Sequence, residues 1–268
     1  MTLESGGCSF AYKCEGSGDA VVLIQGAGIH GDGWIPQTEV LRDRFRCMTF
    51  DNRGMGASQP AALRITVEQM SEDTLALMDA AGIERAHLVG HSLGGLVAQQ
   101  IALSKRARVR SLALLCTSAR GADATGLTMQ MLALGLRTRI GPRRMRARAF
   151  LEIIMPREYL AGQDLDAMAE RMRAFFGHDL ADTPPVVMAQ LNALKRFDAT
   201  SLLRELAGIP TLVLSAAHDI IFRPQYGRTL ASGIPGATYI EMSNAAHGVP
   251  LQEPQAVNKA LLHHFATA

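Results

Sequence analysis

Short, unbroken apolar runs constrain this chain more than any other feature. Val21-Val22-Leu23-Ile24-Gln25 is one such run, and it leads straight into glycines. Comparable runs are Phe45-Arg46-Cys47-Met48-Thr49-Phe50, Ala86-His87-Leu88-Val89-Gly90, residues 109–116 and Thr211-Leu212-Val213-Leu214-Ser215. A strand that is apolar on both faces must be covered on both. These runs therefore predict a mostly parallel central sheet flanked by helices. Tyr239-Ile240-Glu241-Met242 is shorter and more alternating, and predicts one further strand.

Helical patterns lie between the runs. Thr66 and Gln69 are spaced as a capping box; Val67, Met70, Leu77, Met78 and Ala81 follow at helical spacing, and Gly82 supplies the stop. After Pro254, the residues Val257, Leu261, Leu262 and Phe265 mark one face of a closing helix. Strands alternating with helices define an α/β fold. The alternation breaks between Arg120 and Leu206, where strand-like runs are missing and helical segments fall around 128–137, 142–155, Leu165–Phe176 and 185–197. The expected organisation is a core over 1–119, a helical insertion over 120–205 and the rest of the core over 206–268.

The composition agrees with a single enzyme-sized globule. Hydrophobic residues make up 48% of the 268 and charged residues 19%, enough to bury a sizeable core and too apolar for disorder. A net charge of +2 gives no general signal for nucleic acid or for a membrane surface. The stretch Met1-Thr2-Leu3-Glu4-Ser5-Gly6-Gly7 has neither the basic nor the apolar part of a secretory signal, and no apolar run approaches the roughly 20 residues of a spanning helix. Cys8, Cys14, Cys47 and Cys116 are scattered, with no CxxC pair, and no His/Cys/Asp group has metal-ligand spacing. The expectation is a cytoplasmic protein without disulfides, metal or cofactor.

The strongest chemical signal is Gly90-His91-Ser92-Leu93-Gly94-Gly95, which follows an apolar strand and opens the helical stretch Leu96-Val97-Ala98-Gln99-Gln100-Ile101-Ala102. A serine on a tight strand-to-helix turn is held with its hydroxyl above the sheet, and glycines two residues to either side avoid collisions with neighbouring backbone. The helix N-terminus beneath favours developing negative charge. Such a serine needs a base, and the base needs an acid to orient it, in the chain order Ser, Asp or Glu, His. Asp219 follows the run 211–215, and His247 follows Tyr239-Ile240-Glu241-Met242. Both therefore fall in loops past the carboxyl ends of strands, where parallel sheets place their ligand chemistry. His91 is expected to pack inside the turn, His218 to face solvent, and His263 and His264 to lie exposed or to serve the end of a helix; Asp198 reads as a helix cap. An oxyanion hole is expected from the Leu93 amide and from the glycine-rich loop after Gln25, with Ala27 as the donor.

These features together resemble the α/β-hydrolase superfamily over nearly the whole chain. Gln25-Gly26-Ala27-Gly28 looks like its oxyanion turn, Asp51-Asn52-Arg53-Gly54-Met55-Gly56-Ala57-Ser58 like its structural D-x-R-G-x-G-x-S turn, and Gly90–Gly94 like its nucleophile elbow. The insertion sits where the family carries a helical cap, and the chain is similar to cap-bearing carboxylesterases and lactonases. Gln25 departs from the family's usual His, so the hydrogen bonding that shapes the oxyanion loop must differ. The N-terminal strands look short.

Two other signals point elsewhere. Gly26-Ala27-Gly28-Ile29-His30-Gly31, with Asp51 about 20 residues on, has the spacing of a dinucleotide fingerprint. The sequence Asp32-Gly33-Trp34-Ile35-Pro36 argues against a helix opening at its third glycine. Arg137, Arg139, Arg143, Arg144, Arg146 and Arg148 form a basic cluster that could draw an anion, although a solvated helix face explains it better. The functional expectation is hydrolysis of a small-molecule carboxylic ester through an acyl-enzyme. The alternatives are lactone opening, C–C bond hydrolysis or a lyase step at the same triad, and, in other classes, a ligand receptor with vestigial turnover or an NAD-dependent oxidoreductase.

Overall fold

A computed structural model describes residues 1–60, 65–125 and 129–268. Its eight strands are β1 (Thr2–Ser5), β2 (Cys8–Glu15), β3 (Ala20–Ile24), β4 (Arg46–Phe50), β5 (Ala86–His91), β6 (Val109–Leu115), β7 (Thr211–Ala216) and β8 (Thr238–Met242). They form one sheet in the order β1-β2-β4-β3-β5-β6-β7-β8. The β1–β2 and β2–β4 pairs are antiparallel, and every pair from β4 to β8 is parallel. All six strands read from apolarity are present, with ends shifted by a residue at most. Of the N-terminal strands expected to be short, β1 is so, with four residues, whereas β2 runs for eight. Its buried positions alternate with half-buried or exposed ones, which is the pattern of an antiparallel strand and escapes a search for continuous apolar runs.

Both faces are covered, as continuous apolarity requires. Along β3, Val22 and Ile24 join the cluster under α2 (Val67–Ala80) and α3 (Leu93–Ser104), through Met70, Leu77, Leu96 and Ile101. Val21 and Leu23 point the other way, into a cluster with Trp34, Leu41 of α1 (Ile35–Leu41), and Val257, Leu261 and Phe265 of the closing helix. Thr66 caps α2 by accepting from the Gln69 amide at 3.1 Å. The reciprocal half of a capping box is not made, because the Gln69 side chain donates to Asp73 instead.

Between β6 and β7 the described residues hold α4 (Met129–Arg137), α5 (Arg143–Ile154), α6 (Arg157–Leu160), α7 (Leu165–Phe176) and α8 (Val186–Arg196), with no strand. Thr128, at the start of the first expected helix, lies outside the described residues. These helices have a small core of their own, including Leu151, Met155, Met168, Met172 and Phe176, into which Ile29 of the first sheet loop also packs. The basic cluster is largely neutralised here. Arg137 pairs with Glu152, Arg143 with Asp179 and Asp182, and Arg144 and Arg148 with Asp166. After β7 come α9 (Pro224–Gly233), α10 (Val249–Gln252) and α11 (Pro254–Ala266). Among the described residues no helix is long and apolar enough to cross a membrane.

The loop after β4 is held by two carboxylates, a half-buried Asp51 and a buried Asp73. Asp51 accepts from the amides of Gly31 and Ala57 at 2.9 and 3.1 Å. Arg53 donates to both oxygens of Asp73 at 2.9 and 2.5 Å, with the two side chains only 2% and 4% exposed. A third Arg53 hydrogen bond reaches the Gly6 carbonyl, and the guanidinium lies over the Phe10 ring. Removing one member of such a pair strands a buried charge. Asp73→Ala is expected to lower the unfolding free energy by about 3–5 kcal/mol in urea titration, whereas Arg53→Met with Asp73→Leu should recover most of it. A double variant as unstable as the single one contradicts this account.

Candidate active site

Ser92 is the one residue between β5 and α3, and its backbone is strained, with φ 55° and ψ −119°. Its amide donates to the Leu115 carbonyl at 2.9 Å, and its carbonyl accepts from the Gly95 amide at 3.0 Å and the Thr117 hydroxyl at 2.9 Å. The peptide groups are thus fixed on both sides while the side chain stands free of them. The flanking glycines are steric necessities. A Cβ on Gly90 would lie 2.3 Å from the Gly94 carbonyl oxygen, and one on Gly94 would lie 2.1 Å from that of Ile24.

Asp219 and His247 lie in the loops after β7 and β8, with Asp219 3% and His247 7% exposed. One carboxylate oxygen of Asp219 accepts from the amides of Ile221 and Phe222 at 2.8 and 3.0 Å. The other accepts from His247 Nδ1 at 2.8 Å. Three donors, two of them backbone, thus fix the orientation of the carboxylate. That bond places the imidazole proton on Nδ1 and leaves Nε2 with its lone pair. The Phe222 ring stacks on His247 with centroids 6.2 Å apart.

Ser92 and His247 line the same cavity, of about 550 Å³. Gln25, Gly26 and Ala27 line its sheet side; Phe150, Phe176 and Leu191 of the helical segment contribute apolar wall. Among the described residues no hydrogen bond joins the Ser92 hydroxyl to His247; such bonds commonly tighten only when substrate binds. In the loop after β3, the Gly26 amide donates to Gln25 Oε1 at 3.3 Å and the Gly28 amide to Gln190 Oε1 at 3.0 Å. Neither the Ala27 amide nor that of Leu93, the first residue of α3, donates to a protein acceptor among the described residues. Two N–H groups near the serine are therefore available to a negatively charged oxygen.

His91 packs inside the turn, where its Nε2–H donates to the His247 carbonyl at 2.8 Å. Burial first, and then the neighbouring His247 ring, push its pKa down to about 3, so it stays neutral. His218 and His263 are exposed, and Asp198 caps the turn after it by accepting from the Thr200 amide. His264 departs from expectation. It is buried, and burial lowers its pKa, so it carries no charge to the end of α11. The dinucleotide pattern lacks its helix: a 3-10 turn occupies Gly31–Trp34, α1 starts at Ile35, and the Asp51 carboxylate is engaged by two amides.

Three contacts were invisible in the sequence because their members lie far apart along it. Gln190 and His178 of the helical segment both reach the Gly28 peptide, across 162 and 150 residues. Cys116, at positive φ past the end of β6, lies against Asp219, and burial together with that carboxylate raises its pKa well above the ordinary thiol value. Ligand atoms of His91, Cys116 and His247 fall within 4.8 Å of one another. Within this set His91 Nε2 is engaged by the His247 carbonyl and His247 Nδ1 by Asp219.

A family model described as the alpha/beta hydrolase fold matches residues 19–254. The chain belongs to the alpha/beta hydrolase family. Its relatives have diverse chemistry. A Mycobacterium tuberculosis H37Rv protein, BpoC, named as a non-heme bromoperoxidase, is 31% identical over 265 residues, covering 97% of this chain and 98% of its own. A thermophilic esterase from Thermogutta terrifontis has a similar structure, with a TM-score of 0.81 at 27% identity over 99% of this chain and 96% of that one. An enol-lactonase from Burkholderia xenovorans LB400 gives a TM-score of 0.82 at 26% identity, covering 99% and 100%.

The buried histidines set a pH dependence. His87 is pushed down to about 4 and His91 to about 3, mainly by burial, against 6.5 for the unfolded ring. Below pH 6.5 the unfolded chain therefore binds protons that the folded one refuses. Stability is complete above that value and falls as the pH drops towards 4. The urea midpoint should be lower at pH 5 than at pH 7.5, and nitrogen NMR should find both rings neutral at pH 5. A protonated His91 at pH 5 contradicts the assignment.

Proposed function

We propose that this protein is a serine hydrolase that cleaves carboxylic esters, with Ser92 as nucleophile, His247 as base and Asp219 as orienting acid. The observation that carries this reading is the Asp219–His247 hydrogen bond on Nδ1, made by a histidine that shares a cavity with a serine on a strained turn. His247 Nε2 takes the Ser92 proton as the serine oxygen attacks the ester carbonyl. The Ala27 and Leu93 amides donate to the oxyanion of the tetrahedral intermediate. His247 then protonates the leaving alcohol, giving the acyl-enzyme. Water, deprotonated by the same Nε2, attacks the acyl carbon, and the proton returns to Ser92 as the carboxylic acid leaves. Asp219 remains ionised throughout and stabilises the imidazolium.

The helices over 120–205 act in this reading as a cap that shapes the substrate site. Their contribution to the cavity is mostly apolar, with Met131, Phe150, Ile153, Phe176, Val187 and Leu191 among it. That favours an uncharged acyl or alcohol part of modest size. Likeness to an esterase and to an enol-lactonase supports attack on an ester-type carbonyl, and the latter keeps lactone opening as a second reading.

A fluorophosphonate label followed by peptide mapping should mark Ser92. Short p-nitrophenyl esters should be hydrolysed by the wild type and not by Ser92→Ala. Asp219→Asn removes the acceptor that fixes the His247 tautomer, and kcat is expected to fall on the order of 10⁴-fold. Labelling elsewhere, or undiminished hydrolysis by Ser92→Ala, would sink the reading. A matched panel of lactones decides between open-chain and cyclic esters.

A further inference from the structure

The loop that carries the Ala27 amide is held from two sides: Asn52 donates to the Gln25 carbonyl at 3.0 Å and Asp51 accepts from the Gly31 amide at 2.9 Å at its ends, and the helical segment holds its middle. Both polar groups of Gly28, the next residue, are occupied from that segment. The Gly28 N–H donates to Gln190 Oε1 at 3.0 Å, from α8. The Gly28 carbonyl lies 2.8 Å from His178 Nε2, just past the end of α7, and accepts from it in the tautomer that carries the proton there; the ring's Nδ1 faces the Asp179 carbonyl at 2.9 Å. The two following residues lean the same way. Ile29 packs into the core of the helical segment, and the His30 ring lies against Gly177, where an added Cβ would meet it at 2.1 Å.

Gln190 is fully buried, and its Nε2 has no hydrogen-bond partner among the described residues. A side chain kept only for packing would not carry an unsatisfied amide, since an apolar residue of similar length avoids that penalty. The oxygen that does find a partner is the one facing Gly28. Neither Gln190 nor His178 lines the cavity, so neither is placed to touch substrate. The Gln25 side chain, which holds only its neighbour Gly26 at 3.3 Å, leaves the rest of this loop to other partners.

We propose that His178 and Gln190 are positioning residues that clamp the Gly28 peptide from both sides and thereby set the Ala27 amide for the oxyanion. The proposal rests on the serine-hydrolase reading above. It makes the helical segment a determinant of rate as well as of substrate fit. An oxyanion donor acts only if it is aimed where charge develops, and the charge is absent in the ground state. Loosening the clamp should therefore lower kcat and leave KM nearly unchanged.

Two pairs of variants test this. Gln190→Met removes the acceptor and keeps the length, whereas Gln190→Glu retains an acceptor oxygen. His178→Phe removes the donor and keeps a ring beside Phe176, which the imidazole meets edge-on at 6.1 Å, whereas His178→Gln returns an N–H. Each is assayed for kcat and KM on p-nitrophenyl butyrate, for inhibition by a trifluoromethyl ketone and for circular dichroism. That ketone adds to a serine hydroxyl and leaves an oxyanion in the hole.

The Met and Phe variants should lose about 10- to 100-fold in kcat with KM within about twofold, and ketone affinity should weaken in parallel, since removing a whole donor typically costs 10²–10³. The Glu and Gln variants should recover most of both. Unchanged kcat in folded variants, a rise in KM alone, or a kcat loss with undiminished ketone affinity would each overturn the proposal. Should Gln190→Met fail to fold, the His178 pair decides. A wild type that is labelled at Ser92 and active while the variants are silent defeats only the clamp. A wild type inert to both label and ester defeats the hydrolase reading and the clamp with it.

Discussion

Everything at the candidate site depends on how closely helix α3 approaches the sheet. At Gly94 the first turn of the helix leaves no room for a side chain beside the Ile24 carbonyl, and at Gly90 the strand leaves none beside Gly94. This contact forces the single residue between strand and helix into positive φ, and it is repaid by three hydrogen bonds to that residue's peptide groups. A looser junction would let Ser92 relax, and the hydroxyl would no longer have one direction. The strain is local, and the surrounding strand order β3-β5-β6 holds it in place.

The parallel sheet turns that local geometry into a site. Strands β5, β6, β7 and β8 are neighbours in space and run in the same direction, so their carboxyl ends share one rim. Ser92, Cys116, Asp219 and His247 follow those four ends in turn. Adjacent strands lie about 4.8 Å apart, so β8 ends roughly 14 Å from β5, and the loop after β8 reaches back over β7 and β6 to bring His247 to the elbow. The His247 loop is tied back to the elbow through its carbonyl by a neutral His91, a bond that does not depend on the ionisation of the site.

The parts of the fold that are apolar on both faces could be read directly, because continuous apolarity has few other meanings. Once β5, β7 and β8 are placed, Ser92, Asp219 and His247 follow from their positions past the strand ends. One-sided burial dilutes the signal of strand β2. The place of His264 late in a helix says nothing of the face it occupies, and its burial is set by the fold. The links from Gln190 and His178 to Gly28, and that from Cys116 to Asp219, follow from tertiary placement, and no local pattern announces them. Gln25 did announce a difference in that loop; the sequence left unsaid where the compensating bonds would come from.

Strand order also governs how the molecule is made. β6 is complete at Leu115, yet one of its two edges is closed only by β7, which begins at Thr211. Residues 116–210 must emerge first. At roughly 5–20 residues per second of synthesis, that edge stands open for on the order of 5–20 seconds. It is built from Leu112, Ala113, Leu114 and Leu115, all fully buried in the finished sheet, and an unpaired apolar edge readily recruits strands from other chains. In the nascent chain, while the helical segment is still leaving the ribosome, that apolar edge has no strand to pair with.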